Sequence, residues 1–213
     1  MKFFETVTVA CDQGGAMQRL AQSIRAFLEG QGLHVQFYDL VQKRAVLKLL
    51  AGEFPATRYT VICCHGDEQA ETGKQLSFQV VHQKDDDYEN PDGWERITFG
   101  LTPTNIPQYV RGNGRTFISL ACGSGHEDFA RAFLNAGCDA FIAPRGAYVD
   151  SNASVLFTAG FFYFLLAEAR DAERIIYSEA EAVQRAAAID TDYTHGTRPF
   201  HYYAHEATPP EGR

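Results

Sequence analysis

The sequence has no apolar run of eighteen or more residues, so a membrane-spanning helix is not expected. It has no basic excess either. The formal charge is −8 and the pI about 5.3, which speaks against a general affinity for nucleic acid or for an anionic membrane. There is no C-x-x-C pair, no G-x-G-x-x-G and no G-x-x-x-x-G-K-[ST]. Zinc and phosphate-loop readings are therefore weak, although Gly14-Gly15 follow the first strand. Cysteine is scarce: five residues, an odd number, set in apolar surroundings. That excludes a disulfide framework and points to a reducing, cytoplasmic setting. Internal repeats and low-complexity tracts are missing as well.

What is present is a chain of 213 residues, 45% hydrophobic, enough to bury a sizeable core. We expect one domain over residues 1–205 and a frayed tail over 206–213. The N-terminus, with its short apolar portion, reads as a first strand and not as a signal peptide. Residues 4–11 form that strand. Leu20, Ile24, Phe27 and Leu28 then fall at helical spacing up to Gly30. A strand over 34–38, a helix over 41–51 and a strand over 59–64 follow. Strand, helix, strand, helix, strand predicts a parallel sheet covered by helices.

The alternation breaks over residues 67–115. Two short strands, near 76–82 and 94–99, predict a projecting hairpin whose tip is the acidic stretch Lys84–Gly93. That tip is a solvated loop, or a regulatory or self-processing segment. Thr102-Pro103-Thr104-Asn105 opens a short helix. The α/β pattern then resumes with a strand over 115–121, a helix over 126–136 closed by Gly137, and a strand over 140–143. A Phe-rich helix from Ser154 to Ala169, packed on the sheet, and a last helix over 178–189 complete it.

Two strands stop at reactive side chains followed by glycine: Val61-Ile62-Cys63-Cys64-His65-Gly66 and Phe117-Ile118-Ser119-Leu120-Ala121-Cys122-Gly123. In an open α/β sheet, ligands bind beyond the carboxyl ends of the strands. If the two strands are neighbours, a thiol and an imidazole meet there. That pair is the minimum for nucleophilic catalysis, because the thiolate is the nucleophile and the imidazole can take its proton. The helix after Cys122 could add its dipole. Uncrowded backbone at Gly66 and Gly123 could aim amides at an oxyanion. The plain alternative is an inert buried cysteine.

Cys63 and Cys64 lie within a strand and point to opposite faces, so they cannot easily share a metal ion. Cys11 lacks an obvious base. Asp12, after the first strand, could bind a basic substrate side chain, or it could cap the following helix or turn. Asp150 could line the same cleft, or cap the helix that starts near Ser154.

The run from Phe117 to Gly125 resembles the CHAT family, as do Ala130 to Gly137, Ala140-Phe141-Ile142-Ala143, Tyr148-Val149-Asp150 and the Phe162-Tyr163 segment. This family is a branch of the caspase-like cysteine peptidases, which also include caspases, metacaspases, separase and gingipains. His65-Gly66 matches the family's His-Gly, and Leu101 to Ile106 resembles its threonine-led short helix. The His-to-Cys interval is close to the roughly 50 residues of the caspase signature. The match is good over residues 59–166; earlier residues fit by strand order.

The resemblance implies a caspase-like three-layer α/β sandwich and a bacterial cysteine endopeptidase that needs no cofactor or metal and acts on a protein or peptide. It implies His65 as general base or acid, Cys122 as nucleophile, and the amides of Gly66 and Cys122 as oxyanion hole. Asp12 matches only by position a residue that shapes the specificity pocket in related peptidases. With the overall acidity, it suggests cleavage after a basic residue. The chain departs from the family in the residue inserted between Ser119 and Ala121, in Arg145-Gly146 where a Trp is common, and in having no helical repeat array. A silent module of the same fold that recruits a regulatory partner, or a nucleotide-binding α/β domain, are the alternatives.

Overall fold

In the computed structural model, residues 6–13, 15–67, 75–83, 94–145, 149–166, 177–189 and 199–205 are described. Gly14, the acidic stretch Lys84–Gly93, Tyr148 and the 206–213 tail lie outside them.

The chain opens with β1 (Thr6–Cys11), α1 (Gly15–Gly30), β2 (His34–Asp39), α2 (Lys43–Leu50) and β3 (Tyr59–Cys63). β4 (His65–Asp67), β5 (Gln75–Gln83) and β6 (Trp94–Leu101) follow, and then α3 (Ile106–Tyr109), β7 (Thr116–Ser119) and α4 (Glu127–Asn135). β8 (Ala140–Pro144), α5 (Ser151–Leu166), α6 (Glu179–Ala186) and β9 (Phe200–Ala204) complete it. The main sheet has the order β2-β1-β3-β7-β8-β9. It is parallel except for β9, which runs antiparallel to β8. A second, antiparallel sheet is β4-β5-β6.

Strands covered on both faces are apolar at nearly every position, and alternate residues sort into two cores. Tyr59, Val61 and Cys63 of β3 pack with α1, α5 and α6. Ile62 and Cys64 pack on the other face with α2, α4 and the β5–β6 hairpin, whose Phe78, Val80, Phe99 and Leu101 are buried there. The fold is thus three layers. Phe161 and Phe162 of α5 meet Tyr59 edge-on, with ring centroids 6.0 and 5.5 Å apart. Phe157 stacks on Phe200 at 3.7 Å. Gly137 ends α4 in a Schellman motif: its φ is +88°, its amide bonds to Leu134 O, and the Cys138 amide bonds to Phe133 O.

Two strands differ from the sequence reading. His65-Gly66-Asp67 is too short and polar to signal a strand, and it becomes β4 only by pairing with β5. Phe200–Ala204, left without an element, closes the main sheet as β9. Among the described residues no helix is long and apolar enough to cross a membrane.

Candidate active site

β3 and β7 are neighbours, in register from Tyr59↔Thr116 to Ile62↔Ser119. His65 stands three residues past Ile62, and Cys122 three past Ser119. The two therefore leave the same end of adjacent parallel strands at the same height. The strand order also reverses beside them, because β2 lies on one side of β1 and β3 on the other. Such a switch point opens a crevice at the carboxyl edge.

Cys122 occupies the corner of a tight turn. The Ser124 amide donates to Ala121 O at 3.3 Å, and Gly123 takes a φ of +66°, which suits the third position of a type II turn. Two buried serines brace it. Ser119 Oγ and Ser124 Oγ share a hydrogen bond of 2.9 Å, Ser124 Oγ donates to Ala121 O at 2.7 Å, and Ser119 Oγ accepts the Ala121 amide at 3.3 Å. The Gly125 amide then donates to Pro144 O at 2.7 Å, and Tyr203 Oη donates to Gly125 O at 2.6 Å, tying the loop to β8 and β9. The Cys122 sulfur accepts the Val149 amide at 3.3 Å. Among the described residues, no backbone hydrogen bond uses the Cys122 or the Gly123 amide, so both can still donate.

His65, Gly66 and Cys122 line one cavity of about 220 Å3, together with Cys64, Met17, Leu20, Leu120, Val149 and two serines of α5. His65 is exposed and Cys122 half-buried. The other four thiols are buried. Burial pushes Cys11 and Cys138 up to about 12, and holds Cys63 and Cys64 well above the usual thiol range. Cys122 is thus the one cysteine whose sulfur an incoming molecule can reach. A larger cavity, about 670 Å3, lies between Thr102–Pro107 and α4. It contains neither His65 nor Cys122.

Three expectations are corrected by geometry. α4 begins only at Glu127, so Cys122 stands outside the first turn, where a helix dipole acts. Asp12 has no exposed surface; its Oδ2 accepts the Gln79 amide at 2.9 Å, tying the end of β1 to β5. It is not among the described residues that wall the His65–Cys122 cavity. Asp150 precedes α5 as its cap: its Oδ1 accepts the Asn152 amide at 2.6 Å and its carbonyl accepts the Ser154 amide at 3.0 Å. It too is absent from the cavity wall. Cys63 and Cys64 do part to opposite cores, as strand alternation requires. No group of three His, Cys, Asp or Glu among the described residues is placed to hold a metal.

Sequence reasoning passed over Ser119, Ser124 and Val149. The two serines flanking Cys122 were a visible signal. Val149 was not, because only the return of the chain after β8 brings its amide to the sulfur.

No protein-family model and no curated protein matches the sequence. Among solved structures, separase of Saccharomyces cerevisiae, crystallised as the separase–securin complex, superposes with a TM-score of 0.52 at 13% identity. The superposition covers 94% of this chain and 12% of that one. At such low identity the likeness speaks for architecture alone: the chain has a caspase-like α/β fold, a mostly parallel six-stranded sheet between layers of helices.

Proposed function

We propose that the chain is a cysteine endopeptidase in which Cys122 is the nucleophile and His65 the general base and acid. One observation carries this reading. The only cysteine of five that is not buried shares a cavity with a histidine delivered by the neighbouring strand. The caspase-like architecture and the CHAT resemblance support it.

His65 takes the thiol proton, and the thiolate attacks the carbonyl carbon of a peptide bond. The carbonyl oxygen becomes an oxyanion, and the amides of Gly66 and Cys122 donate to it. His65 returns the proton to the leaving amine. Water, deprotonated by the same imidazole, then hydrolyses the thioester and frees Cys122. The substrate is a protein or peptide. A regulatory protein partner is part of the proposal, since the separase structure is a complex with securin.

The test is cleavage of a peptide library by the wild type, Cys122→Ala and His65→Ala. The expected loss is at least about 1000-fold for each variant. Wild-type turnover by Cys122→Ala would refute the assignment, and a Cys122 inert to every electrophile would leave the silent-module and nucleotide-binding readings.

A further inference from the structure

The wall beside the Cys122 sulfur is apolar. Met17 and Leu20 come from α1, Leu120 from two residues before the sulfur, and Val149, whose amide donates to the sulfur, from just before α5. Ser151 and Ser154, from the first turn of α5, complete the rim. Leu20 and Leu120 are each 4% exposed, so their positions are fixed by the core and not by solvent. No Lys, Arg, Asp or Glu is among the described lining residues. Of the carboxylates at this edge, Asp12 accepts the Gln79 amide and Asp150 the Asn152 amide.

A substrate carbonyl within bonding reach of the sulfur carries its own side chain one bond away, on the adjacent Cα. The space open to that side chain is this cavity. Its volume of about 220 Å3 is several times the roughly 30 Å3 that one water occupies in the liquid, room for a branched side chain. An ammonium, guanidinium or carboxylate placed there would lose hydration, and no Lys, Arg, Asp or Glu of the described lining would offset the loss. An aliphatic group would bury its surface against Met17, Leu20, Leu120 and Val149.

We infer that the residue on the acyl side of the scissile bond is an uncharged aliphatic one of the Val, Leu or Met class, and not a basic one. This rests on the cysteine-peptidase reading above. Leu120 and Val149 are then specificity-determining residues.

A fluorogenic peptide library varied only at that residue, read as kcat/KM on the full chain, tests it. Leu, Met and Val peptides should exceed Lys, Arg, Asp and Glu peptides by at least about 30-fold. Ser151→Asp supplies a second arm. It opens α5 with a carboxylate, which the helix N-terminus favours, so folding is preserved. It should raise the Arg-to-Leu ratio by about tenfold or more. Turnover led by a charged residue, or equal across the library, overturns the aliphatic preference and leaves the peptidase reading standing. No turnover of any peptide, with Cys122 inert to iodoacetamide, takes down both.

Discussion

Gly66 lies flat against the Cys122 peptide. A β-carbon built on Gly66 would stand 1.8 Å from the Cys122 carbonyl oxygen, 2.7 Å from its carbon and 2.8 Å from its nitrogen. Those are backbone atoms, held by the Ser119–Ser124 brace, and they cannot swing away as a flexible side chain can. The glycine after His65 is therefore what allows the two strand ends to close on one another.

Gly66→Ala should force them apart. We expect a loss of at least about 100-fold in cleavage and about 1–3 kcal/mol in stability. Urea midpoints and kcat/KM measured together check this. A variant as active and as stable as the wild type would mean that the two backbones do not touch.

Native thiol chemistry should single out Cys122. Cys11, Cys63, Cys64 and Cys138 are buried and held protonated far above neutral pH, so iodoacetamide at pH 8 should add one label. Unfolding in guanidinium should raise the count to five. Intact mass and peptide mapping read both numbers. A second native label on Cys64 would contradict its burial.

Asp12 should matter to stability and not to specificity. Asp12→Ala leaves the Gln79 amide without its acceptor, a cost of about 1–3 kcal/mol. The ranking of peptides by the residue before the scissile bond should not change. A selective loss of basic substrates in this variant would restore the role first expected of Asp12.

His201 on β9 gives the fold an acid sensitivity. Burial, and then the positive charge of Arg145, hold its pKa below the usual 6.5. The unfolded chain therefore takes up this proton first. The contribution of His201 is fully present above pH 6.5 and is lost as pH falls through the lowered folded value. The urea midpoint should drop between pH 7.5 and pH 5, and the drop should be smaller in His201→Gln. An identical pH profile in the two proteins would exclude His201 as the source.

Much of this was legible along the chain. The alternation of β-branched runs with helical spacing located every parallel strand, and of the apolar residues spaced along α1, Leu20, Ile24 and Leu28 are buried while Phe27 is exposed. The Phe-rich α5 does pack on the sheet, although Leu156 and Tyr163 on its far side are 44% and 53% exposed. β4 and β9 were missed for a common reason. Neither has a periodicity of its own, and each is a strand only because a distant segment offers it a ladder.

Local chemistry therefore determined the alternation of elements and put a histidine and a cysteine each just past an apolar strand. Those features depend on period, punctuation and side-chain type, all of which are written into short stretches of sequence. Which neighbours each residue met was decided by tertiary structure alone. A carboxylate at the end of β1 turned inward because β5 presented an amide to it, and an apolar wall formed beside the sulfur from α1, the turn after β7 and the segment just before α5. Segments so far apart in the chain have no local signature of their meeting; the packing of the two cores brings them together.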